Sequence, residues 1–315
     1  MKKVILLVLI GVLVLSCASG VFAQEKKFKV GYACISWSFP FMVAYQPLFV
    51  EELKKYPDYE VIFFDAKGDY QALADGLENF IAQKVDLIMN FALDSLPMIE
   101  TYKKIKAAGI PLLLTMDEPD FEAYPYMDCF SGLSPRDAGR QCADELHRVL
   151  KGQGKVALIT ATKGSTSEIQ YTGGFMNELS RLNSGLEVVA IQPGDWDISI
   201  AQKAASDILT KYPDIDGFYV SDDWMGGGIV RALKEKGYEP GEVKIAAAGG
   251  SKIGIKDLQD GWYVSIVDQG PVLCVLQDIF MMRCLLEKIG PVPHFAMVKQ
   301  ELITQENIDR FPGTW

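Results

Sequence analysis

The sequence predicts an α/β protein built as two similar lobes, each a parallel sheet flanked by helices, and three observations predict it. Apolar strand patterns alternate with helical periodicity from Phe28 onward, the signature of βαβ units whose crossovers make neighbouring strands run parallel. The order of the pieces recurs. Lys29-Val30 returns as Lys155-Val156, Glu60-Val61-Ile62 as Glu187-Val188-Val189, Gly68-Asp69-Tyr70 as Gly194-Asp195-Trp196, and Asp86-Leu87-Ile88 as Asp216-Gly217-Phe218, at offsets of 126, 127, 126 and 130 residues. Finally, 315 residues with 49% apolar and 23% charged side chains suffice for about two domains with proper cores.

Strands are expected at 28–34, 59–65, 86–91, 111–116 and 126–130 in the first lobe, and at 156–161, 186–191, 216–221, 243–248 and 263–267 in the second. Between them lie helices such as 69–83, where Leu73, Leu77, Phe80 and Ile81 share one face. Asp69 and Asp197 stand just before helical patterns and read as N-caps. The first lobe ends near Ser131 and the second starts around Ser134, with no Pro/Gly/Ser-rich linker between them; crossing segments join such lobes better than a flexible tether. Gly226-Gly227-Gly228, Gly249-Gly250-Ser251-Lys252 and Gly152-Gln153-Gly154-Lys155 do not make a G-x-x-x-x-G-K-[ST] phosphate loop and read as turns and close helix packing.

Residues 1–23 read as an address. Lys2 and Lys3 precede an apolar run from Val4 to Leu15, and Val21-Phe22-Ala23 offers small residues for cleavage. The run is shorter than the roughly 20 residues a bilayer span needs. A second cut is open at Val14-Leu15-Ser16-Cys17, which resembles a lipoprotein box with a less usual Leu15 and would anchor the chain through Cys17. Either cut exports the protein to the periplasm or cell surface. The net charge of −10 carries no basic cluster past the N-terminus, which excludes a nucleic-acid partner, since phosphate binding needs Lys and Arg. Cysteines at 17, 34, 129, 142, 274 and 284 show no C-x-x-C or metal spacing and read as small buried residues, with a Cys129–Cys142 bridge left open. The two histidines, His147 and His294, lie far apart, so no metal site is expected.

Open parallel sheets bind ligands beyond the carboxyl ends of their strands. The residues following the strands are Ser36-Trp37, Asn90-Phe91 and Asp117-Glu118 in the first lobe. In the second they are Thr162-Lys163, Asp222-Asp223-Trp224, Gly249-Gly250-Ser251 and Asp268-Gln269, and helix starts add Phe41, Tyr171 and Trp196. The candidate ligand-binding set is Trp37, Phe41, Asn90, Asp117, Tyr171, Trp196, Asp222 and Asp268. Aromatic plates beside carboxylates and amides suit a polyhydroxylated ligand: rings pack on its C–H face while Asp and Asn take its hydroxyls. Trp262, at a strand start, reads as packing.

With these residues on view, the chain resembles the type I periplasmic solute-binding proteins of the ribose/galactose-binding kind. The likeness rests on Val30-Gly31-Tyr32, Pro40-Phe41-Met42, Asp86-Leu87-Ile88-Met89-Asn90, Gly109-Ile110-Pro111 leading to Met116-Asp117, Gly173-Gly174-Phe175, Ser221-Asp222-Asp223-Trp224-Met225 and the tail Thr304-Gln305-Glu306-Asn307-Ile308-Asp309. It implies a two-lobed clamp with a three-segment hinge: 24–132 with 269–298 as lobe one, and 133–268 with 299–315 as lobe two. It also implies a monomer without cofactor that closes on a sugar or polyol and then meets an ABC-transporter permease, in some members a chemoreceptor. No bond is made or broken. By position, Phe41 and Trp196 match the family's plates, Asn90 and Asp117 its lobe-one hydrogen-bonders, Asp222 its usual Asn, and Asp268 its usual Gln.

Three positions depart from that pattern. Glu118 and Tyr171 stand where the family often has Arg, and Gly249 replaces an Asp. A pocket that loses two cations and gains Asp222 and Asp268 does not suit ribose or galactose bound in the standard way. A different pentose, a sugar alcohol, a disaccharide or a cation fits better, and a nucleoside, amine or autoinducer-type ligand is the alternative. An exported sugar hydrolase using Asp117 and Asp222 is a rival of another class, but no G-x-S-x-G elbow or dinucleotide fingerprint accompanies them. A sugar-responsive repressor would need a DNA-binding helix pair where the export signal stands.

Overall fold

Twelve strands in two six-stranded sheets organise the described residues, 27–313 and 315 of the computed structural model. The expected signal at 1–23 and the Cys17 anchor lie outside them. The first sheet contains β1 (Phe28–Cys34), β2 (Tyr59–Asp65), β3 (Leu87–Phe91), β4 (Leu112–Asp117), β5 (Cys129–Leu133) and β11 (Phe295–Met297), in the order β11-β5-β4-β3-β1-β2. The second contains β6 (Gln153–Thr160), β7 (Gly185–Pro193), β8 (Gly217–Val220), β9 (Lys244–Gly249), β10 (Tyr263–Asp268) and β12 (Leu302–Ile303), in the order β12-β10-β9-β8-β6-β7. All pairings are parallel except β10 with β12. Each sheet reverses its winding beside its first strand, the place where doubly wound sheets open a crevice.

Nine α-helices cover these sheets among the described residues: α1 (Pro40–Leu53), α2 (Tyr70–Ala82), α3 (Ile99–Ala107), α4 (Pro135–Val149), α5 (Thr166–Arg181), α6 (Ile198–Lys211), α7 (Asp223–Glu235), α8 (Lys252–Gln259) and α9 (Pro271–Glu287). One apolar core unites the first sheet with residues of α1, α2, α3 and α9; the second sheet carries a core on each face. The chain therefore passes between sheets three times, before α4, before α9 and between β11 and β12. The five cysteines at 34, 129, 142, 274 and 284 are buried free thiols, and burial pushes the Cys34 and Cys142 thiols up.

The internal repeat has a physical basis. The Lys29 N–H donates to Asp86 Oδ2 at 2.8 Å, and the Lys155 N–H donates to Asp216 Oδ2 at 2.7 Å. In both sheets a carboxylate thus clips the first strand to the start of the third. Asp69 and Asp197 cap α2 and α6, each accepting two backbone N–H groups.

The offset between the halves is not constant, and the equivalence of Gly68-Asp69-Tyr70 with Gly194-Asp195-Trp196 is corrected. Val156 pairs with Val188 but Ala157 pairs with Ala190, so Val189 is a bulge in β7. Beyond it the halves run 128 apart: Asp69 corresponds to Asp197, and Gly68 to Trp196. The strand expected at 126–130 also moves. Residues Phe121–Tyr126 form a 3-10 turn capped by Asp120 and containing Pro125, and the strand begins at Cys129. β11 and β12, of three and two residues, are too short for an alternating pattern to announce.

Candidate functional site

Both sheets end on one cavity with about 570 Å³ of empty space, part of it open to solvent. From the first sheet side come Phe39, Pro40, Phe41 and Met42 at the start of α1, Phe91 closing β3 and Leu93 after it, Met116 and Asp117 closing β4, and Leu133 closing β5. From the second come Tyr171 in α5, Trp196 in the β7–α6 turn, Asp222 ahead of α7, Gln269 after β10, and Trp315. No Lys, Arg or His stands among these lining residues.

The carboxylates and the amide of the lining each have a specific partner. Asp222 caps α7, its Oδ1 accepting the Met225 N–H at 2.7 Å. Burial pushes its carboxyl up to about 7. Asp117 Oδ2 accepts the Ser167 hydroxyl at 2.7 Å, and burial, only partly offset by that bond, pushes it up to about 6. Gln269 Nε2 donates to Tyr171 Oη. The edge of Tyr171 meets Trp196 at 6.2 Å and 67°.

Strain concentrates here. Among the described residues nine non-glycines hold positive φ, and Leu93 (62°), Met116 (74°) and Trp196 (59°) line the cavity. Such conformations cost free energy and persist where the surrounding structure over-determines them, often at binding sites. Trp196 is the sharpest case, because its equivalent in the other half is a glycine.

The lobes meet along the first two turns of α5. Thr166 Oγ1 donates to Asp94 Oδ1 at 2.9 Å, Ser167 Oγ to Asp117, and Gln170 Nε2 to the Glu118 carbonyl at 2.9 Å. One helix start from the second sheet thereby grips three acceptors around the ends of β3 and β4.

Of the eight candidates, Phe41, Asp117, Tyr171, Trp196 and Asp222 line this cavity, and three do not. Trp37 is core: 8% exposed, it donates Nε1–H to the Phe64 carbonyl at 3.0 Å and sets its edge against Tyr32 and Phe63. Asn90 spends its amide inside the first lobe, Nδ2 on the Ala33 carbonyl and Oδ1 on the Tyr102 hydroxyl. Asp268 accepts the Gly270 N–H at 3.0 Å and lines a separate groove with Arg310 and Phe311. The assignment misses by one residue: successive side chains leave a strand on opposite faces, and Gln269 takes the cavity side.

Other lining residues escaped the sequence reading. Phe39, Leu93 and Trp315 sit in loops and a tail where no period marks a face. The acid missing at Gly249 is supplied from α7: Asp223 Oδ2 accepts the Gly250 and Ser251 N–H groups at 2.7 and 2.9 Å. A Cβ on Gly249 would stand 2.3 Å from Asp223 Cγ, so the glycine makes room for that carboxylate.

Comparison with known proteins decides the family. A model described as periplasmic binding protein domain matches residues 30–283. The chain belongs to this family. Among curated family members, the D-ribose/D-allose-binding protein of Pseudomonas aeruginosa is 26% identical over 196 residues, 61% of this chain and 60% of that protein. The ribose import binding protein of Bacillus subtilis is 23% identical over 79% of each chain. A solved ABC transporter solute binding protein from Bacillus halodurans, with bound myo-inositol, superposes with a TM-score of 0.85 at 23% identity, covering 93% of this chain and 100% of that one.

Proposed function

We propose that this family member is the extracytoplasmic solute-binding component of an ABC importer, closing its two lobes on a sugar or polyol. The supporting observation is a cavity at the carboxyl ends of both sheets, walled by Phe41 from one lobe and Trp196 from the other, with Asp117 and Asp222 as acceptors. Aromatic faces pack on the C–H face of a sugar ring, and carboxylates accept its hydroxyl protons. Ligand touching both lobes favours closure in proportion to its differential contacts. The grip of α5 on Asp94, Asp117 and Glu118 supplies the closed state with contacts of its own. Export directed by residues 1–23, ending either in cleavage after Ala23 or in anchoring through Cys17, and delivery to a permease complete the reading.

A hydroxyl suits the site better than an ammonium. The indole Nε1 atoms of Trp196 and Trp315 are buried without hydrogen-bond partners and call for acceptors, whereas Asp117 and Asp222 call for donors. A hydroxyl serves as both and an ammonium only donates. The alternative, an amine, rests on the absence of Lys and Arg from the lining.

The test is thermal unfolding of the exported chain, first unfolded and refolded to remove carried ligand, against pentoses, hexoses, polyols, nucleosides and amines. A ligand at 100 times its Kd adds about 2.7 kcal/mol. A shift with one sugar or polyol supports the proposal, a shift confined to amines installs the alternative, and no shift with any neutral polyol rejects it.

A further inference from the structure

Trp315 stands far in sequence from every other aromatic of the cavity, yet it lines the same space as Phe41, Trp196, Asp117 and Asp222. Its ring meets the edge of Phe41 at 5.6 Å and 73°. The tail that carries it is fixed to the second lobe, because the Trp315 carbonyl accepts the N–H of Lys252, the first residue of α8, at 2.7 Å. Gly313, left-handed at φ 73°, turns the chain against that helix start, and a Cβ there would stand 3.0 Å from Lys252 Cα. A residue anchored on one lobe therefore presses on a cavity-lining ring of the other.

Its indole adds an independent observation. The side chain is part-buried, but its Nε1 is buried and has no hydrogen-bond partner, an uncommon state for a buried N–H donor. A buried donor without an acceptor is destabilising, and a ligand oxygen would supply the acceptor it lacks.

We infer that Trp315 is a ligand-contacting residue of the cleft, a third aromatic wall that bridges the lobes and selects ligands offering both an apolar ring face and a hydroxyl or ring oxygen. This rests on the solute-binding reading and deepens it. With Phe41 and Trp196 it brings three aromatic rings to one cavity, which suits a compact cyclic polyol or sugar better than an extended chain.

The experiment compares the refolded wild-type chain with Trp315→Ala and Trp315→Phe by titration calorimetry, with myo-inositol, D-ribose and D-allose as probes. Circular dichroism verifies that both variants fold. For any probe that wild type binds, Trp315→Ala weakens affinity at least tenfold. Trp315→Phe, which keeps a ring but loses the N–H, falls between the two. Affinities of both variants within twofold of wild type overturn the inference and leave the solute-binding reading intact. Where wild type binds none of the probes, acrylamide quenching of the emission difference between wild type and Trp315→Phe decides the case. A shielded Trp315 supports its place in the cleft while the sugar reading fails for these probes; a freely quenched one overturns it.

Discussion

Asp117 and Ser167 hold the two lobes together through one hydrogen bond of 2.7 Å, the hydroxyl of α5 donating to the carboxylate that ends β4. Because Asp117 also lines the cavity, the proposed function gives one side chain to the ligand and to the closed state at once. Ser167→Ala removes the bond without adding bulk. A bond to a charged group contributes roughly 1.5–3 kcal/mol net, so affinity for the natural solute drops tenfold or more while the melting temperature of the ligand-free protein hardly moves. Calorimetry gives the first number and scanning fluorimetry the second. Unchanged affinity would mean that the contact does not favour closure.

Asp222 carries two roles that substitutions separate. Its carboxylate caps α7 through Met225 N–H, and its burial pushes the carboxyl to about 7. Asn is as good an N-cap as Asp, whereas Ala costs about 1 kcal/mol. Asp222→Asn keeps the cap, no longer buries a charge, and is therefore at least as stable as wild type at neutral pH, while binding weakens several-fold. Asp222→Ala loses the cap as well, visible as a melting point a few degrees below that of Asp222→Asn. Equal melting points for the two variants would deny the cap its contribution.

The repeat and most strands were legible in the sequence because burial on a sheet leaves a period, and the Asp86 and Asp216 clips repeat with it. The site was half legible for the same reason. Strand ends announce where side chains emerge but not which way they face, so Trp37 turned into the core and Gln269 replaced Asp268. Trp196 was found at its edge, yet the reason for its position, a one-residue bulge at Val189, leaves no mark in the pattern. Trp315 had no pattern to belong to.

Asp278 gives the molecule a pH dependence of stability independent of ligand. Fully buried in α9, it accepts from Tyr45 Oη at 2.6 Å and from Ser131 Oγ, with Tyr32, Cys129 and Cys274 nearby and no cation acting on it among the described residues. Burial pushes its carboxyl up to about 7. The folded state therefore binds the proton more tightly than the unfolded chain, where the value is about 4. Its contribution is fully present below pH ~4, declines as pH rises through about 7, and is constant above. Three pH units correspond to about 4 kcal/mol. Buried Asp117, Asp222 and Asp223 act with the same sign. Thermal unfolding of ligand-free protein from pH 4 to 8 shows a falling melting point, and Asp278→Asn, which keeps the hydrogen-bonding shape without the charge, flattens the slope and is more stable than wild type at pH 8. Parallel slopes for the two proteins would contradict this account.

Trp196 offers a test of whether strain is kept for function. At φ 59° it occupies the left-handed position that Gly68 takes in the first lobe, a conformation costing an L-residue about 1–2 kcal/mol. Trp196→Gly relieves that cost and gives up the packing of the ring against Tyr171. The two effects oppose, so the melting point changes by only a few degrees while the lobe-two aromatic wall disappears. Affinity for the solute then falls more than tenfold, far out of proportion to the change in stability. A tryptophan retained for the fold would give the opposite result: a large drop in melting point with affinity intact. Measuring both quantities on one variant separates the two, because at this position the backbone prefers glycine while the indole packs on Tyr171 and lines the cavity.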